Sequence, residues 1–509
     1  MATRSVRAGT TGTPRERQSS RGRPPQRNRG GPCRAWRACV SGLIGLALVT
    51  GCTVGPEYRR PQVPVPATWR TATEGAGSLA DLAWWDLFQD PTLQGLIRAA
   101  LTENQDLQTA VARVAEARAT LGVTQAAQFP QVAASASYSN QRFSANGFPP
   151  LPPGLSLDQN FYQPQVNLLS FELDLWGKLR RATEAARAEL LASEENRQTV
   201  VMTLVGDVAQ AYFDLLALDR EADIDRETLA SRQASLELVR HRFEEGLTSE
   251  LDVRRAEGEV AASAASVPDV ERRIAQTEDR LSLLLGHNPG PIPRGAPLDR
   301  QPLPPEIPAG LPSVLLERRP DVRAAEARLV AANARIGEAK AAFFPQIILT
   351  GFFGVESGEL GNLFAGPSRI WQAGPALTLP LLTAGRLRAT LEASEARDAE
   401  AQSQYQQTIQ AAFREVEDAL VFHAKVREIR LRREQGMQAE RQALTLAELR
   451  YSNGVSSYLE VLDAQRQLYL AETELSAALR DQLVSMVQVY KALGGGWQMP
   501  SPDGKDRQP

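Results

Sequence analysis

The residues that could run covalent chemistry are sparse and scattered. Three histidines, His241, His287 and His423, lie far apart in the chain, and none stands at metal-ligand spacing. No glycine-rich loop precedes a Lys-Ser/Thr pair, and nothing has the form of a nucleophile elbow. Catalysis, a metal and a cofactor are therefore not expected, and the histidines read as surface helix or loop residues. Acid, in contrast, recurs in register. Asp252 and Glu460 occupy one position in two related segments, and Asp463 lies one turn beyond Glu460 on the same helical face. Carboxylates so placed can act electrostatically, favouring cations and repelling anions. Each could equally belong to a solvated helix face.

The elements that hold these carboxylates are written twice. Arg242-Phe243-Glu244-Glu245-Gly246-Leu247-Thr248-Ser249-Glu250-Leu251-Asp252-Val253 recurs 208 residues later as Arg450-Tyr451-Ser452-Asn453-Gly454-Val455-Ser456-Ser457-Tyr458-Leu459-Glu460-Val461. Gly177-Lys178-Leu179-Arg180 recurs at the same offset as Gly385-Arg386-Leu387-Arg388, and Phe129-Pro130-Gln131 recurs as Phe344-Pro345-Gln346. Such a duplication means two copies of one structural unit that bury their apolar faces together. Residues 178–245 and 386–453 are proline-free and rich in Ala, Leu, Glu, Arg and Gln, so each predicts a helix of about 100 Å. Val201, Leu204, Val208, Ala211, Leu215 and Leu218 trace a coiled-coil stripe on the first. Each helix stops at a glycine suited to the C′ position, Gly246 or Gly454. Thr248-Ser249 and Ser456-Ser457 then offer N-caps for a returning helix. Pro268 marks a break or kink in the first return helix.

Before each long helix the period changes to two. Val132, Ala134, Ala136 and Tyr138 alternate with polar residues, and Leu169, Phe171, Leu173 and Leu175 form a second run. Val166 and Leu168 are out of phase with that run, which predicts a bulge. The second copy repeats the pattern with Ile347, Leu349, Gly351, Phe353 and Val355, then Trp371, Ala373, Leu377, Leu379 and Leu381. Residues 143–160 and 358–368 read as the loops between runs. An earlier helical pattern runs from Pro91 to about Gln128, carried by Leu93, Leu96, Ile97, Ala100, Leu101, Leu107, Val111, Val114 and Ala117.

Charge divides the 509 residues. Residues 1–39 carry ten Arg against Glu16, whereas from Cys52 onward 47 basic face 59 acidic residues. An acidic body argues against nucleic-acid binding. The basic start, the apolar run from Val40 to Val49 and Thr50-Gly51-Cys52 form a secretory signal too short to span a membrane. Val49-Thr50-Gly51-Cys52 resembles a bacterial lipobox, which implies removal of residues 1–51 and acylation of Cys52. The following Thr53 implies outer-membrane delivery. With Cys33 and Cys39 gone, no intrachain disulfide is possible.

Four strands of roughly ten residues, apolar on one face, fit an outer-membrane span. Open sheet edges cannot sit in lipid, and four strands cannot close a transmembrane barrel. The chain must therefore oligomerise, giving eight, twelve or sixteen strands. An ordinary soluble sheet would leave unexplained the lipid signal and the aromatics near the ends of the runs, Tyr138, Phe143, Phe161, Tyr162, Trp176, Phe344 and Trp371. The long helices carry charge throughout and must project into water.

Cys52-Thr53-Val54-Gly55-Pro56-Glu57-Tyr58, Trp84-Trp85, Leu284-Leu285-Gly286, Arg318-Arg319-Pro320-Asp321-Val322, Phe344-Pro345-Gln346 and the two glycine-containing hairpin tips occur in an order that resembles the TolC-like outer-membrane efflux channels, lipoprotein branch of NodT type. The resemblance covers nearly all of residues 52–495. It implies a mixed α/β membrane protein, a homotrimer with a twelve-strand barrel continuous with a helical barrel through the periplasm, and an adaptor joining it to an inner-membrane pump. The tips Gly246, Leu247, Thr248, Ser249, Gly454, Val455, Ser456 and Ser457 match those that meet the adaptor. Asp252, Tyr451, Glu460 and Asp463 match the periplasmic constriction, where three copies would form carboxylate rings. Ser456 departs from relatives that carry Arg there.

The implied organisation is a signal (1–51), an extended lipid-anchored tether (52–90), a first repeat (91–288), a proline-rich linker (289–312), a second repeat (313–495) and a disordered tail (496–509). The expected function is a passive duct for drugs or other toxic small solutes in the outer membrane of a Gram-negative bacterium. Alternatives are a duct for type I protein secretion and a lipid-anchored periplasmic scaffold without a pore.

Overall fold

The computed structural model describes residues 53–70, 78–147, 152–302 and 312–497. Cys52, the basic leader and the tail beyond 497 lie outside the described residues.

Asp90 opens helix α1 (Pro91–Glu103), accepting from Thr92 N at 2.8 Å and Leu93 N at 3.3 Å, with proline at the first helical position. The single helix expected over 91–128 is in fact two. Asn104 interrupts it by accepting from Leu107 N at 2.9 Å as the cap of α2 (Gln105–Ala126), while its Nδ2 donates to the Leu284 carbonyl at 2.9 Å. An Asn at that position was the cue, outweighed by the continuous apolar period.

Strands β1 (Val132–Arg142) and β2 (Asp158–Glu172) come from the first copy, and β3 (Gln346–Val355) and β4 (Arg369–Thr378) from the second. They form one antiparallel sheet in the order β1-β2-β3-β4, joined across the duplication by β2 and β3. The register shifts between Leu168 and Phe171, as the phase change requires. The bulge puts Val166, Leu168 and Phe171 on one face with Val132, Tyr138, Leu349, Phe353, Trp371 and Leu377. The other face carries Ser135, Ser137, Gln163, Gln165, Asn167, Thr350 and Gln372, interspersed with Phe161, Ile348, Phe352 and Ile370. Trp371, Phe353 and Tyr138 are 73%, 62% and 60% exposed in the single chain, an apolar face that water would not favour. β2 starts inside the expected loop and ends at Glu172. Leu173 and Leu175 therefore lie past it, with Leu173 N donating to the Ile347 carbonyl at 2.9 Å and Leu175 N to the Leu173 carbonyl at 2.8 Å. Likewise Leu379 and Leu381 lie past β4.

Helices α3 (Lys178–Glu244) and α4 (Glu250–Leu285) form the first long hairpin. Helix α5 (Pro320–Ala341) precedes β3, and α6 (Arg386–Ser452) with α7 (Tyr458–Ala492) forms the second hairpin. At 67 residues each, α3 and α6 reach about 100 Å. Of the break or kink expected at Pro268, a break does not occur, and α4 runs through it. That proline is exposed, so the carbonyl it leaves unbonded is open to water.

The predicted stripe of α3 is the main core. Val201, Leu204, Val208, Ala211 and Leu215 are buried with Leu483, Val487 and Tyr490 of α7, Ile409 and Val416 of α6, and Leu93 and Ile97 of α1. Leu218 is half-buried at its edge. Trp84, fully buried in the same cluster, belongs to a short helix Trp84–Leu87, so the extended tether ends before it. His423 corrects its expected surface position. It lies 6% exposed between α6 and α7, with Nδ1 2.8 Å from Ser485 Oγ, and burial lowers its pKa.

Residues 53–70 are extended but fixed. Val54 N donates to the Trp176 carbonyl at 3.0 Å, and Tyr58 Oη donates to Glu326 Oε1 at 3.0 Å. Arg60 Nε reaches the same oxygen at 2.7 Å, and Trp69 packs on Phe413 with centroids 6.0 Å apart. Gly55 adopts φ +113° against Gly337, where a Cβ on either glycine would overlap backbone of the other segment. The described part of the linker is also held. Arg294 Nε pairs with Asp219 at 3.0 Å, and Gly295 N donates to Tyr212 Oη at 2.9 Å.

Asp90 joins this linker to the core. Its Oδ2 accepts from Tyr212 Oη at 2.9 Å and Gln301 Nε2 at 2.7 Å. Burial pulls its pKa upward, but the hydrogen bonds from Gln301, Tyr212, Thr92 and Leu93 outweigh this and leave it below the ordinary value. Its contribution is full above the unfolded carboxyl value of about 4 and fades as pH falls through the lower folded value. Asp90→Ala should cost about 3 kcal/mol and flatten acid unfolding in that window, measured by pH-dependent denaturation. Gly337→Val should lift the extended segment from α5, read as faster tryptic cleavage after Arg59 with the helical core intact.

Candidate functional site

The two hairpin tips are built alike up to the turn. After α3, Gly246 at φ +72° lets its N–H donate to the Phe243 carbonyl at 2.9 Å and Leu247 N to the Arg242 carbonyl at 2.8 Å. After α6, Gly454 at φ +72° donates to the Tyr451 carbonyl at 3.0 Å and Val455 N to the Arg450 carbonyl at 2.9 Å. Both are Schellman closures, which need a left-handed residue at C′. Leu247 and Val455 follow, 61% and 67% exposed, so each tip ends in an apolar knob.

The returning helices begin differently. Ser249 caps α4 in a full capping box, and Asp252 closes it. The Asp252 Oδ2 accepts from Ser249 Oγ and Thr248 Oγ1, both at 2.8 Å. Partial burial pulls the Asp252 pKa upward, but these bonds prevail and hold it below the ordinary value. Ser457 makes no side-chain cap bond to α7. Glu460, at the position equivalent to Asp252, instead reaches Arg450 Nε at 3.4 Å across its own hairpin. Asp463 pairs with Arg466 at 3.0 Å. Sequence patterning placed the carboxylates just past the tips but did not reveal that each is already engaged. Arg450 stands inside the repeated segment, where its pairing with Glu460 could have been anticipated.

Tyr451 faces inward rather than toward the carboxylates. It is 5% exposed in a cluster with Leu236, Val239, Val253, Ala256, Ala447, Tyr458 and Val461, drawn from all four hairpin helices. Its ring is 5.4 Å from that of Tyr458, whose pKa burial pushes up to about 12. Its hydroxyl has no hydrogen-bond partner, and neither does the Ser456 Oγ. Arg242, which opens the repeated segment but is not among the expected site residues, stands over the Tyr451 ring at 4.8 Å. Among the described residues no group of His, Cys, Asp and Glu is arranged to hold a metal.

The asymmetry of the caps has a measurable consequence. Ser249→Ala should cost about 1 kcal/mol and speed amide exchange at the start of α4, whereas Ser457→Ala should leave exchange at the start of α7 nearly unchanged.

A family model described as outer membrane efflux protein matches residues 96–287 and 311–495. The toluene efflux pump outer membrane protein TtgC of Pseudomonas putida is 38% identical over 468 residues, covering 91% of this chain and 96% of that protein. The outer membrane protein OprJ of Pseudomonas aeruginosa is likewise 38% identical, over 90% of this chain and 96% of its own. Among solved structures, the open state of the MtrE outer membrane channel of Neisseria gonorrhoeae superposes with a TM-score of 0.80 at 35% identity. That match covers 88% of this chain and 99% of MtrE. A membrane protein from Pseudomonas aeruginosa gives 0.81 at 37% identity, covering 87% and 100%. Sequence, sheet and paired hairpins agree, and the chain belongs to the outer membrane efflux protein family.

Proposed function

We propose that this protein is a passive duct that carries small toxic solutes out through the outer membrane, assembled from three copies. The observation that carries the reading is the open sheet. Among the described residues β1 and β4 each pair on one side only, while one face of all four strands is apolar. Unpaired backbone in hydrocarbon costs several kcal/mol per group, so the edges must meet edges of other copies. Twelve strands would close a barrel whose inner face carries that row of Ser, Gln, Asn and Thr with a few apolar side chains such as Phe352 and Ile348. That lining is hydrogen-bonding and almost without charge, suited to an unselective bore. Lys178 neutralises Glu172 at its end, at 3.0 Å.

In this reading the acylated Cys52 holds the assembly to lipid, and the hairpins project into the periplasm. The knobs Leu247 and Val455, with Gly246, Thr248, Ser249, Gly454, Ser456 and Ser457, meet the helical hairpins of an adaptor. The adaptor links the duct to an inner-membrane pump. The protein acts by conduction and needs no catalytic group or cofactor. Asp252, Tyr451, Glu460 and Asp463 surround the periplasmic entrance. Because Arg450 and Arg466 accompany Glu460 and Asp463, the entrance is closer to neutral than bare carboxylate rings would be.

Gently extracted protein should run as a trimer, appear as a hollow cylinder by electron microscopy and conduct in planar bilayers. The double variant Glu460→Gln/Asp463→Asn leaves Arg450 and Arg466 unbalanced and should shift ion preference toward anions. A monomer without conductance would refute the duct. Unchanged selectivity in a conducting trimer would remove these carboxylates from the entrance.

A further inference from the structure

Helices α3, α4 and α7 enclose a cavity of about 390 Å³ that no part of the proposed duct uses. That volume lies in the range of small-molecule sites. Its wall is polar. Asp214 and Glu221 come from α3, Arg273 and Arg280 from α4, and Ser476 and Arg480 from α7. All six belong to one chain, so the wall needs no second copy.

One pair in this wall is satisfied. Arg273 holds Glu221 with both terminal nitrogens, Nη1 donating to Oε2 at 3.1 Å. The other groups are short of partners. The Asp214 carboxylate accepts no hydrogen bond, and Arg480 Nε stands 3.7 Å from it. Burial pushes the Asp214 pKa up in spite of Arg480 and Arg280 nearby. Arg480 instead donates Nε and Nη2 to the adjacent Asp481, at 3.0 and 2.6 Å. Arg280 makes no hydrogen bond and no close ion pair among the described residues. Ser476 is 5% exposed, yet its Oγ has no partner. Buried polar groups are normally paired. A buried hydroxyl, a carboxylate without donors and an uncommitted guanidinium on one wall therefore call for a polar occupant.

The charges narrow its chemistry. Glu221 and Arg273 cancel, and Asp481 outside the wall shares Arg480, so Arg280 is the uncommitted cation. Guanidinium groups favour oxyanions. An oxyanion without a proton would meet repulsion from Asp214. One that keeps a proton can donate it to Asp214 while its other oxygens accept from the arginines and from Ser476. Inorganic phosphate keeps a proton at neutral pH, and sulfate does not.

We propose that this cavity binds hydrogen phosphate, with Arg280 and Arg480 as cationic ligands, Ser476 as hydroxyl donor and Asp214 as the acceptor that selects for the proton. The site stands whether or not the protein is a duct.

The test is calorimetric titration of the full-length assembled protein at neutral pH and fixed ionic strength. Inorganic phosphate should bind saturably, once per chain, and slow amide exchange at residues 273–280 and 473–480. Sulfate should bind roughly tenfold more weakly, the weight of one charged hydrogen bond. Glycerol 3-phosphate, whose second pKa is about 6 and which is mostly unprotonated at neutral pH, should resemble sulfate. Asp214→Asn, whose amide can donate, should remove the preference by strengthening sulfate. Arg280→Ala should weaken phosphate by about tenfold, and its exposed side chain makes no bond the fold would miss. Arg254→Ala, which breaks exposed pairs with Glu250 and Glu257 near the first tip, is the control and should change nothing. Should Asp214→Asn fail to assemble, Arg280→Ala and the comparison of anions on the unaltered protein decide. Absence of saturable phosphate binding overturns the site. Equal binding of phosphate and sulfate, or full phosphate affinity in Arg280→Ala, means an adventitious ion only and overturns it as well. Tighter binding of the ester than of inorganic phosphate overturns the selection for a proton.

Discussion

An antiparallel sheet of four strands with an apolar face has only one comfortable environment and cannot occupy it alone. The face asks for hydrocarbon, while the outer strands β1 and β4 carry backbone groups that hydrocarbon cannot satisfy. Everything else follows from that conflict. The sheet must be completed by copies of itself, which leaves a closed wall with the Ser, Gln and Asn side chains inside. The bulge at Leu168–Phe171 is what makes the wall usable, because without the phase change half of β2 would present its polar residues to lipid.

The helical part solves a different problem, which is to hold two very long hairpins in fixed relation with little apolar surface. It does so at two places. The main core ties α3, α6 and α7 to α1, and the extended N-terminal segment straps across α5 and α6 through Gly55, Tyr58, Arg60 and Trp69. Asp90 and Arg294 then fasten the inter-repeat segment to the same core. The second place is the small cluster at the tips. The helical part is therefore held broadly at one end and by a small apolar joint at the other.

Duplication supplied two identical tips, and small changes gave them different duties. The glycine closures remain alike because only a left-handed residue can make them. At the next position the shorter Asp252 folds back onto Ser249 and Thr248, whereas the longer Glu460 reaches Arg450. One methylene separates a helix cap from a cross-hairpin ion pair.

By itself the sequence determined the elements and their repetition. The period-two runs, the two long proline-free segments, their glycine stops and the out-of-phase pair Val166 and Leu168 are local patterns, so propensity and periodicity suffice to read them. The buried stripe of α3 was legible for the same reason. Only the tertiary structure decided which side chains meet. His423 is buried because α7 covers it, the expected tether is a strap because Gly337 leaves room for Gly55, and Asn104 splits a helix because its amide serves the Leu284 carbonyl. Asp252 finds its partners locally and Glu460 within its own hairpin, but the neighbours of Tyr451 depended on side-chain reach across separate helices. Spacing along one chain cannot report such distances, because they are fixed by how hairpins 208 residues apart pack against each other.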